Sequence, residues 1–104
     1  MAEVVWTRPA LDDLNDIVEY ISRDSRVYAE RFATRVLEAA RRLEDFPYSG
    51  RLVPEFKEEN IREVIYGSYR IIYIVRGDTS CITAVIHGSR DILRQLDNGD
   101  WDVT

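Results

Sequence analysis

Arg62, Arg70, Arg76, His87 and Arg90 all fall between positions 61 and 90, with Tyr66, Tyr69 and Tyr73 interleaved among them. Guanidinium groups grip carboxylate or phosphate through paired donors, and an imidazole exchanges a proton near neutral pH. Together they are suited to holding a carboxylate or phosphate partner, with His87 as a candidate general acid or base. His87 is the only histidine and has no neighbouring ligands, and the acids are scattered over other segments, so neither a metal site nor a cofactor is expected. Gly67-Ser68 and Gly88-Ser89 lack a nucleophile-elbow pattern, and the five glycines are isolated at turns, which leaves no phosphate-cradling loop. A structural reading competes with the chemical one: a histidine closing a strand, and sheet tyrosines whose hydroxyls reach water.

These residues need elements to hold them. Residues 2–6, AEVVW, read as a strand. Thr7 offers an N-cap hydroxyl and Pro9 sits in the first turn of a helix whose apolar stripe is Ala10, Leu11, Leu14, Ile17, Val18 and Ile21. Ser22-Arg23-Asp24-Ser25 breaks it. A second helix carries Ala29, Phe32, Ala33, Val36, Ala40, Leu43 and Phe46 on one face and ends before Pro47. On its other side Arg31, Arg35, Glu38 and Arg42 read as a solvated face. Helices joined by so short a break pack as an antiparallel hairpin. Residues 51–60, polar and carrying Pro54, read as a loop.

Then the period changes to two. Ile61–Tyr66, Tyr69–Arg76 and Ser80–His87 read as three strands with hairpin connections at Gly67-Ser68 and Gly77-Asp78-Thr79. The expected fold class is α+β: an N-terminal strand, a helical hairpin, then a three-stranded antiparallel meander, the first strand taking an edge of that sheet. With helices on one face, the other is a candidate recognition surface. Residues 1–96 form the expected single domain, a short helix over 91–96 included, and 97–104 an acidic C-terminal tail.

The composition, 45% hydrophobic and 32% charged, is that of a globular protein. A net charge of −5 argues against broad, sequence-independent nucleic-acid binding, and no sequence-specific DNA binding by this chain alone is expected. Thirteen of its fourteen basic residues are arginine. No apolar run reaches the ~18 residues that cross a bilayer, and the start, with Glu3 and no basic region, is not read as a signal peptide. The lone Cys81 is consistent with a reducing compartment. A cytoplasmic location without membrane contact is expected.

An ordered set of short motifs resembles the ParE/RelE toxins of bacterial type II toxin–antitoxin systems, closest to the ParE branch. It runs through Trp6-Thr7, Ala10, Asp13-Leu14, Ile17 and Tyr20-Ile21; Phe46-Pro47 and Gly50-Arg51; Pro54-Glu55; Arg62-Glu63; Tyr69-Arg70-Ile71-Ile72-Tyr73; and Val85-Ile86-His87-Gly88-Ser89-Arg90-Asp91. The resemblance implies the RelE/ParE-like fold, poisoning of DNA gyrase without chemistry of the toxin's own, and neutralisation by a ParD-like antitoxin. It marks Arg62, Arg70, Tyr73, His87 and Arg90 as target-binding residues. Leu14, Ile17, Ile21, Phe32 and Val36 are the antitoxin-binding ones. The alternative it carries is a RelE-type endoribonuclease that cuts mRNA on the ribosome, with His87, Arg62, Arg70 and Arg90 as its catalytic set. The lysines of that branch fall around Arg62-Glu63-Val64 and its C-terminal tyrosine near Leu96, so an acid stands where a cation belongs. A third implication is a relative without toxicity that binds an antitoxin. The acidic tail departs from the family pattern and is expected to shield basic groups such as Arg90 and Arg94 or to alter target choice.

Overall fold

The computed structural model describes residues 2–88. β1 (Glu3–Trp6) leads into α1 (Arg8–Ser22) and α2 (Arg26–Arg41). A single 3-10 turn (Arg42–Glu44) follows, then β2 (Arg51–Leu52), β3 (Ile61–Tyr66), β4 (Tyr69–Arg76) and β5 (Thr79–His87). Thr7 starts α1 as expected: its hydroxyl accepts from the Ala10 N–H at 3.3 Å and donates to the Ile82 carbonyl at 2.8 Å, tying the helix start to β5. Ser25 caps α2 through the Tyr28 N–H at 3.1 Å.

The meander lies inside a five-stranded sheet of order β1-β5-β4-β3-β2. β1 finds the far edge by pairing parallel with β5, Val5 opposite Cys81. The stretch 51–60 is not wholly loop: Arg51 pairs with Glu63 and Leu52 with Arg62, giving the other edge a two-residue strand. A bulge between Ile72 and Tyr73 leaves Thr83 between the pairs Ile72–Ala84 and Tyr73–Ile82, and the Thr83 hydroxyl donates to the Ile72 carbonyl at 3.2 Å.

Both sheet faces are covered at their centre. On one, Ile71, Tyr73, Val75, Ile82 and Val85 meet Ala10, Leu14, Phe32, Val36, Ala40 and Leu43 from the helices. On the other, Val53 and Phe56, from the loop after β2, pack on Ile61, Ile72, Ile74, Ala84 and Ile86. That face is therefore core and not the open recognition surface expected of it. Phe46, expected on the buried side of the second helix, lies beyond the 3-10 turn and is exposed, because the helix ends five residues earlier. The expected helix over 91–96 and the acidic tail lie outside the described residues.

Among the described residues, one buried hydroxyl has no hydrogen-bond partner: Ser80 Oγ, in a residue with no exposure. A buried polar group left unpaired costs about 1–3 kcal/mol. Ser80→Ala is accordingly expected to raise unfolding free energy by about 1 kcal/mol, read as a higher urea midpoint at unchanged slope.

Candidate functional site

The strand register separates the residues the sequence grouped together. Arg62 lies opposite Tyr73, Arg70 opposite Ile65 and Ile86, and His87 opposite Tyr69. Neighbouring strand residues alternate faces, so Arg62, Tyr73, Tyr69 and His87 share the helix-side face while Arg70 projects to the opposite one. Along that shared face, Tyr69 and Tyr73 stand roughly 13 Å apart. Arg90 and Arg94 lie outside the described residues.

Arg70 is nearly buried, and two carboxylates claim it. Its Nε donates to Glu63 Oε1 at 2.6 Å, and its two terminal nitrogens donate to Glu55 at 2.8 and 2.7 Å. Glu63, with no side-chain exposure, also accepts from Arg51 Nε at 2.6 Å. The bidentate bond to Glu55 is the largest influence driving the Arg70 guanidinium further up from its already high range, against the opposing effect of burial. The same hydrogen bond holds the Glu55 carboxyl below its ordinary value. The resulting Arg51–Glu63–Arg70–Glu55 chain fastens the 53–60 loop across the second face of the sheet.

Tyr73 is fully buried, so it is a core residue and not a target contact. Its hydroxyl donates to the Pro47 carbonyl at 2.8 Å and accepts from the Gly50 N–H at 3.0 Å. Burial, the largest effect, pushes its phenol up. Arg62 secures the same segment: Nη1 donates to the carbonyls of Tyr48 (3.2 Å) and Gly50 (3.0 Å), Nε to that of Glu59 (2.9 Å), and its guanidinium lies 5.0 Å from the Tyr48 ring centre.

The shifts at Glu55 and Tyr73 each contribute to one limb of the stability–pH curve. A carboxyl depressed in the fold gives stability that is present above the unfolded value near 4.5 and lost as pH falls through the lower folded value. A raised phenol gives stability present below 10 and lost as pH rises through the folded value. Glu55→Gln should flatten the acid limb of a stability–pH curve and leave the alkaline limb unchanged. Tyr73→Phe should do the reverse.

His87 is exposed at the end of β5, its ring packed edge-on to Tyr69 with centroids 5.4 Å apart. It lines a cavity of about 260 Å³ with Asp13, Asp16, Tyr20 and Tyr69. Asp13 accepts from the Val85 N–H at 3.0 Å, so α1 caps β5 where β1 no longer covers it. This corner offers an imidazole beside carboxylates and phenols, whereas transition-state charge on a phosphate calls for cations. Arg70 is on the opposite face and Arg62 is committed to the 47–50 segment.

Of the five residues expected to bind an antitoxin, Leu14, Phe32 and Val36 are buried in the core, because the helices spend their stripes on the sheet. They are withdrawn as contact residues. Ile17 and Ile21 remain half-buried. The apolar surface left over on the hairpin is Leu11, Tyr20, Val27, Tyr28 and Leu37, which helical periodicity distinguished poorly from the buried stripe. Glu55 and Glu63 were the residues missed. Only their sequence neighbourhood to Pro54 and Arg62 marked them, and no local pattern pairs either one with Arg70.

Solved structures that share this fold include two toxin–antitoxin assemblies. One is the chromosomal ParDE toxin–antitoxin system of P. aeruginosa, with a TM-score of 0.68 and 20% identity, covering 84% of this chain and 96% of that one. The other is the RelBE2 toxin–antitoxin complex of Mycobacterium tuberculosis, with a TM-score of 0.58 and 23% identity, covering 83% and 96%. At those identities the likeness is one of fold. Toxin RelE2 of Caulobacter vibrioides is 38% identical over 91 residues, spanning 86% of this chain and 99% of the relative. The sequence profile of the ParE toxin of type II toxin–antitoxin systems, parDE, matches residues 4–92. The chain belongs to this ParE toxin family, within the ParE/RelE superfamily.

Proposed function

We propose that this toxin acts by binding, with DNA gyrase as its target and a ParD-like antitoxin as its neutralising partner, and that it performs no bond-breaking step itself. The observation that carries the reading is the state of Arg70. A cation that must meet a scissile phosphate cannot also be buried between Glu55 and Glu63 at 2.6–2.8 Å. Charge that stabilises a transition state has to be uncommitted and aimed at the reacting group. The exposed aromatic and aliphatic groups of the helical hairpin suit a protein partner instead.

A second reading keeps a specific observation behind it: His87 is exposed beside a cavity, and the 38%-identical relative is named RelE2. The two separate on one substitution. Growth arrest by the His87→Ala variant should stay within about fivefold of the parent's if the toxin works by binding, as for the loss of one ordinary interface contact. A ribonuclease that used this imidazole would lose about 10²–10⁴ in rate, and the corresponding mRNA cleavage on ribosomes would vanish with it. Among the described residues, no helix is long and apolar enough to cross a membrane.

A further inference from the structure

We propose that the cavity between α1 and the uncovered end of β5 binds an organic cation, an ammonium or guanidinium head on an aliphatic stem. β1 pairs with β5 only as far as Ile82, and the Thr7 N–H makes the last bond on that edge, donating to the Ile82 carbonyl at 3.0 Å. Beyond it the edge of β5 is turned toward α1. Gly88 donates to the Ser68 carbonyl at 2.7 Å, and alternate residues of an antiparallel strand aim their backbone groups at the same neighbour. Gly88 and Ile86 therefore face β4, and Val85 faces the cavity that it lines. Its N–H is met by Asp13 at 3.0 Å. The Val85 carbonyl shares that direction, in a residue only 2% exposed, and no described residue donates to it. A nearly buried acceptor at a cavity wall is completed by a ligand that brings a donor.

The rest of the lining sets the charge of that ligand. Asp13, Asp16 and Tyr20 recur at three- and four-residue intervals along one side of α1, and they share the cavity of about 260 Å³ with Tyr69, Val85 and His87. Among the described residues, no arginine or lysine lines it. Asp16 has no ion pair among them, and an ionised carboxylate such as that of Asp13 accepts several hydrogen bonds at once. The wall is therefore rich in acceptors, which repels an anion and suits a charged group made only of N–H donors. The rings choose among cations. Tyr69 is fixed by edge-on contacts to Phe32, with centroids 5.1 Å apart, and to His87 at 5.4 Å, while Tyr20 is largely exposed. Aromatic faces attract ammonium and guanidinium groups, whereas no three ligating side chains among the described residues could hold a metal ion. The volume suits a small ligand or one long side chain. The inference is independent of whether gyrase or the ribosome is the toxin's target.

The test uses the full chain with n-butylguanidinium and 1,4-diaminobutane as probes and 1,4-butanediol as the neutral control, followed by backbone amide NMR. Both cations should shift the Val85 amide saturably, and more weakly as salt is raised. Asp16→Asn, at an exposed position, should keep its melting temperature and weaken binding about threefold or more. Tyr20→Ala should weaken it about two- to fivefold. A capped pentapeptide with one arginine among glycines separates the two sources of such a cation. Tighter binding than butylguanidinium assigns the site to a side chain of a partner protein, and weaker binding to a free amine or guanidine; both sustain the site. Equal binding of butanediol would overturn the proposal, as would saturable shifts that bypass Val85. So would an Asp16→Asn affinity equal to the parent's, or the absence of saturable shifts with either cation.

Discussion

Glu63→Lys should unfold the domain and not create a ribonuclease. The substitution restores the residue type that a RelE-like basic set would carry at this place in the sequence. Glu63, however, is the buried hub between two guanidinium groups, each at 2.6 Å and on a different carboxylate oxygen. A lysine there would crowd a third cation against Arg51 and Arg70, with Glu55 alone to balance them. Removing one partner of a buried ion pair costs about 3–5 kcal/mol, against a total stability of about 5–15 kcal/mol for a domain. Equilibrium urea unfolding should show a midpoint lowered by half or more, or no cooperative transition. Glu63→Gln, which keeps the shape and loses the charge, should fall between this variant and the parent. An unchanged midpoint for Glu63→Lys would show that the 53–60 loop is held by its apolar contacts alone.

Gly50→Ala should be nearly as damaging, for a steric reason. A β-carbon at position 50 would lie 2.6 Å from the Tyr73 hydroxyl, 2.7 Å from the Glu63 carbonyl and 2.8 Å from Tyr73 Cε1. Neither neighbour can give way. Tyr73 is enclosed and its hydroxyl also holds Pro47 at 2.8 Å, while the Glu63 carbonyl belongs to a strand. Overpacking of this kind costs about 3 kcal/mol. Gly67→Ala provides the comparison: nothing lies within 4 Å of its added carbon, and only the backbone angle of +57° opposes it, at about 1 kcal/mol. A thermal or urea series should therefore rank Gly50→Ala well below Gly67→Ala. Tyr73→Phe combined with Gly50→Ala should cost less than the two separately, since the phenylalanine removes one of the clashing atoms. Equal midpoints for the two glycine variants would mean that the 47–50 segment moves freely.

These two residues show how far the sequence could be read. The elements were legible because period and punctuation agree: Thr7 and Pro9 start one helix, Pro47 follows the end of the other, and Gly67 and Gly77 mark the hairpins. β2 was illegible because two residues carry no periodicity. Its existence depends on Arg51 finding Glu63, twelve positions away. The basic constellation was legible as a composition and misleading as a site. Parity along β3 and β4, together with their register, sends Arg62 and Arg70 to opposite faces, and register is a tertiary property. Tyr73 looked like a sheet tyrosine with a wet hydroxyl. Its hydroxyl proved to be the pin for Pro47 and Gly50, a role fixed by residues more than twenty positions away.

The central claim is that the toxin binds its target and breaks no bond, and purified gyrase, plasmid DNA and ATP test it most directly. Supercoiling is followed with and without the toxin, and each reaction is ended by denaturant so that trapped, cleaved DNA is revealed. Linear DNA should appear with the toxin, be suppressed by its antitoxin, and fall by no more than about fivefold for His87→Ala. Unimpaired supercoiling with no linear product, alongside mRNA cleavage on ribosomes that His87→Ala abolishes, would contradict the claim.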